Sequence, residues 1–287
     1  MSSTVRSVAG PGDIQTINID NRFGRARISL LGATLFDWRP AGGRPVIWLS
    51  DKARFEPGRG IRGGVPLCWP WFGAHEGEAE YPAHGIARTR LWELVESRDL
   101  DDGSSMAVLR LPLTPEAMWP HPSELEYRVT LAEHLQLELV TRNTGTYAFE
   151  ITQALHTYFR VGDIEQVTVT GLEGRDYLDK PDNYARKQQQ GAVTFSAETD
   201  RIYLETSAQC AIEDRSMRRR IGIEADGSGS TVVWNPWREV GAKMSDMHDD
   251  AYRTMLCVET ANAASDGRLL QPGEETCLRA LYRVSES

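Results

Sequence analysis

Leu125-Glu126-Tyr127-Arg128-Val129-Thr130-Leu131-Ala132-Glu133-His134-Leu135-Gln136-Leu137-Glu138-Leu139 decides the fold. Leu125, Tyr127, Val129 and Leu131 alternate with Glu126, Arg128 and Thr130; after a short turn, Leu135, Leu137 and Leu139 alternate with Gln136 and Glu138. Successive side chains of a strand point to opposite faces, so a period of two marks a strand with one face buried. Two such runs separated by about three residues read as an antiparallel hairpin. Working outward, short strand-like runs recur at 26–31, 106–113, 166–170, 231–234, 255–260 and 276–284, with Gly and Pro between them and no long amphipathic helix. The pattern predicts an all-β chain, a large antiparallel twisted β-sandwich. No interior linker separates compositionally distinct halves, so one domain over 1–287 is expected, with residues 1–20 peripheral to it. The polar stretch 179–191 reads as a long surface connection, and Arg218-Arg219-Arg220 as a solvated turn.

The 287 residues carry 40% hydrophobic and 25% charged side chains and a formal charge of −9. That balance can bury a substantial core and disfavours a partner such as nucleic acid or an anionic membrane, both of which need basic surface. The N-terminal stretch lacks the pattern of a signal peptide, and no apolar run reaches the length of a membrane span. Cys68, Cys210, Cys257 and Cys277 are widely spaced and form no CxxC pair, as expected of a cytoplasmic protein without a zinc site. No glycine-rich nucleotide motif is present.

Several residues stand out chemically. Over 149–161 the apolar Phe149, Ile151, Leu155, Phe159 and Val161 share one parity, and Glu150, Thr152, Ala154, His156, Tyr158 and Arg160 share the other. His156 therefore sits on a face lined by hydrogen-bonding groups, as in a ligand groove. A histidine on an open, solvated sheet face accounts for the same pattern. In Met255-Leu256-Cys257-Val258-Glu259-Thr260, parity puts Glu259 beside Cys257 and opposite Leu256 and Val258. Burial there would raise the carboxyl pKa and make it a stronger base; an exposed edge-strand glutamate is the plainer alternative. Arg62 lies in the Gly- and Pro-rich stretch 60–73, an ordered loop packed on the sheet, and Arg88 follows His84-Gly85-Ile86-Ala87. An arginine's planar fork suits carboxylate or phosphate oxygens, although solvated arginines and structural ion pairs are commoner. His75, His121, His134 and His248 show no metal-ligand spacing.

Taken in order, Ile61-Arg62-Gly63-Gly64-Val65-Pro66, His84-Gly85-Ile86-Ala87-Arg88, Leu155-His156-Thr157-Tyr158-Phe159, Asp200 in Glu198-Thr199-Asp200-Arg201-Ile202-Tyr203, Trp234-Asn235-Pro236-Trp237 and Cys257-Val258-Glu259 resemble the hexose-6-phosphate mutarotases. These form the glucose-6-phosphate 1-epimerase branch of the aldose 1-epimerase superfamily. The resemblance runs from about residue 23 to 282. It implies a sandwich of the galactose mutarotase type whose concave sheet holds the site, with His156 and Glu259 catalytic and Arg62, Arg88 and Asp200 contacting substrate; His84 reads as a further sugar contact or as a satisfied loop histidine. It also implies a small sugar phosphate as substrate, no cofactor, no metal and a monomer. Where relatives often carry glutamine before His-Gly, this chain has Ala83, so one polar contact to substrate is missing or supplied from elsewhere.

On that reading Glu259 is the base on the C1 hydroxyl and His156, kept protonated by nearby carboxylates, is the acid towards the ring oxygen. Arg62 and Arg88 clamp the 6-phosphate. Trp69, Trp71 and Trp237 stack on a sugar face or, for at least two of them, pack in the core. Three other readings remain open at the level of sequence. They are a carbohydrate-binding module without catalysis, a mutarotase for unphosphorylated aldoses, and a glycoside hydrolase using Asp200 and Glu259.

Overall fold

The computed structural model describes residues 4–206 and 209–286. The run that opens the sequence reading forms the strands Ser123–Leu131 and Leu135–Asn143, paired so that Leu131 faces Leu135, Val129 faces Leu137 and Tyr127 faces Leu139. All these apolar side chains are fully buried. The hairpin belongs to an eight-stranded antiparallel sheet. Its order is Val167–Thr170, Gln209–Asp214, Arg219–Asp226, Glu275–Glu286, Leu135–Asn143, Ser123–Leu131, Ser105–Leu111 and Glu93–Asp99.

A second eight-stranded sheet faces it. It runs Ala185–Gln188, Asp176–Asp179, Thr199–Leu204, Ser230–Asn235, Met255–Asn262, Gln153–Leu155 and Leu67–Cys68, with Tyr158–Arg160 also pairing to Met255–Asn262. Leu155, Phe159, Leu256 and Val258 from this sheet share one core with Tyr127, Leu137, Leu278 and Tyr282 from the first. The fold is therefore an antiparallel β-sandwich, as expected. Tyr158 and Cys257 sit in a separate cluster with Trp48 and Trp234, while Ala154 joins Cys68 and Val232 in another. The period-two parity thus sorts both strands correctly: one set of side chains enters the sandwich, and the other lines the outer face of this second sheet.

Three expectations need correction. Residues 4–20 are not peripheral (1–3 lie outside the described residues): Val5–Ala9 and Gln15–Asn21 form a four-stranded sheet with Gly24–Ser29 and Leu35–Pro40. Ile17 and Ile19 alternate into the main core and are fully buried. The stretch 179–191 is not a loose connection, because Asp176–Asp179 and Ala185–Gln188 pair as a hairpin at the edge of the second sheet. Its polar sequence hid this, since an edge strand covered on neither face carries little apolar alternation. Arg219 does not lie in a solvated turn. It begins the strand Arg219–Asp226, is 5% exposed, and donates to the carbonyls of Pro45 and Arg160 beside Asp214.

Candidate active site

His156 lies where the chain leaves one short strand, Gln153–Leu155, and enters another, Tyr158–Arg160. The two neighbours anchor it from opposite sides. The His156 amide donates to the Pro66 carbonyl (3.0 Å), tying it to the Gly-rich loop. The Thr157 hydroxyl reaches into the sandwich and shares a 2.7 Å hydrogen bond with the Tyr282 hydroxyl. The imidazole is left on the outer face, stacked on Tyr158 (ring centroids 4.9 Å apart, 12° between planes) and edge-on to His84 and Trp234. Glu259 projects from the central strand Met255–Asn262 towards it, with His156 Nδ1 and Glu259 Oε1 3.4 Å apart. No hydrogen bond joins the two at this geometry, and His156 Nδ1 and Glu259 Oε2 are both buried without hydrogen-bond partners. His156 is 8% exposed and Glu259 1%, which excludes both the open-face histidine and the edge-strand glutamate.

Burial biases both members of this pair towards their uncharged forms. It pushes the Glu259 carboxyl well above the ordinary carboxylate range, helped by Asp200 and opposed by Lys180 and Arg88. It pulls the His156 imidazole well below its usual value, and His84, Arg88 and Arg62 push the same way. Both shifts favour the uncharged forms, a carboxylic acid beside a neutral imidazole, and so run against the expectation of a protonated His156: taking a lone charge out of water is costly, and the neighbouring cations add to that cost for the imidazole.

The remaining candidates surround the pair. Arg62 is held by the Asp246 carboxylate (Nε to Oδ1, 3.1 Å) and donates to the Tyr158 hydroxyl (2.9 Å). A continuous line therefore runs from Asp246 through Arg62, Tyr158 and His156 to Glu259. Arg88 donates from Nη2 to the Ala83 carbonyl (2.7 Å), while its Nε is buried without a partner. It influences His84, His156 and Glu259 alike. His84 adopts a left-handed backbone (φ 66°), and its Nδ1 accepts from the Gly73 amide (3.2 Å). Burial, followed by Arg88, Lys180 and Arg62, lowers its pKa to about 3. Asp200 lies on Thr199–Leu204 and is paired with Lys180 at 2.6 Å. All six residues singled out from the sequence gather around the His156–Glu259 pair on the outer face of the second sheet.

The sequence family described as Aldose 1-epimerase matches residues 15–283. The chain belongs to that family. It is 38% identical over 257 residues, covering 88% of this chain and 84% of the relative, to an Escherichia coli (strain K12) protein named "Putative glucose-6-phosphate 1-epimerase". The crystal structure of a "putative mutarotase" from Salmonella typhimurium superimposes with a TM-score of 0.91 at 34% identity, covering 99% of this chain and 94% of that one. A "galactose mutarotase-like protein" from Clostridium acetobutylicum shares the fold alone, with a TM-score of 0.75 at 14% identity over 99% and 98% of the two chains.

As an aldose 1-epimerase family member, the chain also has site residues that sequence reasoning missed. Lys180 was assigned to a surface connection, and nothing in its local sequence signals that the 176–188 hairpin turns it onto Asp200. Asp246 sits in a polar loop without periodicity. Trp234, whose ring contacts His156 and Tyr158, was flagged only within a motif. Trp69 and Trp71 are core residues, and Trp237 packs on Tyr252, so the aromatics beside the His156–Glu259 pair are Tyr158 and Trp234 instead. No helix among the described residues is long and apolar enough to cross a membrane.

Proposed function

We propose that this epimerase interconverts the α and β anomers of a hexose 6-phosphate, D-glucose 6-phosphate foremost, by acid–base ring opening and closure. The observation that carries the reading is the buried His156–Glu259 pair, 3.4 Å apart, with Arg62 and Arg88 close enough to act on it. The phosphate ester follows the name of the Escherichia coli relative and the cationic rim. Mutarotation removes a proton from the anomeric hydroxyl and delivers one to the ring oxygen. The open aldehyde rotates about C1–C2, and closure on its other face reverses both transfers. Two proton-transfer groups suffice.

The shifts favour a free pair whose one proton rests on Glu259. Burial is the main cause that disfavours a charged His156, and His84, Arg88 and Arg62 add to it. A phosphate dianion bound by the two arginines offsets their share and moves the proton balance from Glu259 towards His156. The bound state then contains a carboxylate base and an imidazolium acid, without drawing a proton from solvent. Each group contributes roughly 10²–10⁴-fold. We further place the protein in the cytoplasm as a monomer; its four cysteines are all free thiols, as suits a reducing compartment.

The test is anomer exchange by NMR magnetisation transfer on glucose 6-phosphate and on glucose. Wild type should exchange the phosphate ester fast and glucose slowly, and Glu259→Gln and His156→Asn should each lose roughly 10²–10⁴-fold in turnover while retaining sugar-phosphate binding. Fast exchange on glucose alone would reject the phosphate assignment, and near-normal turnover in either variant would remove that residue from the mechanism.

A further inference from the structure

We infer that His156, Cys257 and Glu259 together also form a binding site for a thiophilic divalent cation such as Zn²⁺, and that its occupancy blocks the catalytic chemistry proposed above. A ring nitrogen, the thiol sulfur and a carboxylate oxygen of these three buried residues all lie within 4.8 Å of one another. The arrangement follows from strand geometry. Cys257 and Glu259 are two positions apart on Met255–Asn262 and so project side by side from one face. Leu155 pairs with Thr260 and Tyr158 with Cys257, which sets His156 across from the space between them.

Two further observations point to a cation. His156 Nδ1 and Glu259 Oε2 are buried atoms with no hydrogen-bond partner, and both are donors that a metal accepts. Tetrahedral zinc, with bonds of about 2.0–2.3 Å, places its ligands roughly 3.3–3.8 Å apart. His156 Nδ1 and Glu259 Oε1 already meet that spacing at 3.4 Å, and only the thiol has to swing in. A mixed N, S, O donor set selects zinc or cadmium over magnesium or calcium, which prefer all-oxygen ligands. The fourth position would be left to water. Binding displaces the Cys257 thiol proton and the Glu259 carboxyl proton, both of which leave to solvent, and ties up both groups needed for proton transfer.

The inference rests on the positions of these three side chains and not on the identity of the sugar, so its first readout is spectroscopic. Co²⁺ added to the wild-type protein should give one equivalent of binding with a thiolate-to-cobalt charge-transfer band. Cys257→Ala should abolish the band, and Cys210→Ser, a thiol on the other sheet, should keep it. In the exchange assay, Zn²⁺ should inhibit wild type, EDTA should reverse this, and Mg²⁺ should have no effect. The inhibiting Zn²⁺ concentration should rise at least about tenfold in Cys257→Ala, measured against that variant's own metal-free rate, since even loss of an outer-shell partner costs 10–100-fold in affinity. If Cys257→Ala does not fold, Cys257→Val serves the same comparison. A missing cobalt band, a band that survives removal of Cys257, or equal zinc inhibition of the variant overturns the site. A normal band without inhibition overturns the blocking role, and a protein inactive on sugar phosphates that still shows the band loses only the proposed function.

Discussion

At His84 a left-handed backbone, a ring nitrogen engaged by the Gly73 amide and three nearby cations meet on one side chain. Its folded-state pKa of about 3 lies below the unfolded value of 6.5. The stability this side chain contributes is therefore present above pH 6.5 and is lost as pH falls from 6.5 towards 3. The His156–Glu259 pair acts on this slope in opposite senses, because a raised carboxyl adds protons to the folded state while a lowered imidazole withholds them. Denaturant titrations across that window should show wild-type stability falling faster with acid than that of His84→Asn, by at most about 1.4 kcal/mol per pH unit. Asparagine tolerates the left-handed backbone, so the variant isolates the charge effect. Parallel slopes would mean that His84 titrates normally. For the arginines, Arg88→Ala and Arg62→Ala should each weaken binding of glucose 6-phosphate by roughly 10–100-fold, the worth of a charge-assisted hydrogen bond, and leave glucose binding nearly unchanged, as read by calorimetry. At this scale the sequence revealed which face His156 and Glu259 occupy, since parity is local. It did not reveal their charge states, which depend on burial and on Lys180, Arg62 and Arg88 arriving from distant segments.

The elements that position the site differ in how legible they were. The 125–139 hairpin declared itself through full apolar alternation, and Met255–Asn262 did so through Leu256 and Val258. The 176–188 hairpin did not, because pairing at a sheet edge needs no buried face. The loop carrying Arg62 was recognisable as ordered, but its course beside His156 is set by backbone hydrogen bonds that no side-chain pattern encodes. One of its supports is Gly85, with φ 73°, where an added Cβ would stand 2.0 Å from the Trp69 carbonyl oxygen. Gly85→Ala must shift the backbone that carries His84. Its thermal unfolding should show a loss of roughly 1–3 kcal/mol together with reduced exchange activity. An unchanged melting temperature would show that the loop yields without penalty.

For the whole molecule, the sandwich was legible and its N-terminal contribution was not. Over 14–21 the sequence shows a short Ile14, Ile17, Ile19 pattern broken by polar residues, too weak to claim a place in the core. Yet Ile17 and Ile19 are fully enclosed. Ile17→Ala should therefore cost about 2–5 kcal/mol in chemical denaturation, as for other buried large-to-small changes, and a cost under 0.5 kcal/mol would restore the peripheral reading. The order of strands has a different consequence, which concerns synthesis. Met255–Asn262 lies in the interior of the second sheet, between Ser230–Asn235 and Gln153–Leu155, while Glu275–Glu286 lies between Arg219–Asp226 and Leu135–Asn143 in the first. A nascent chain therefore carries two incomplete sheets with raw hydrogen-bonding edges until these late strands leave the ribosome. Chaperone demand and the danger of premature termination should accordingly peak just before residue 255, where the polypeptide is nearly complete and neither sheet can close.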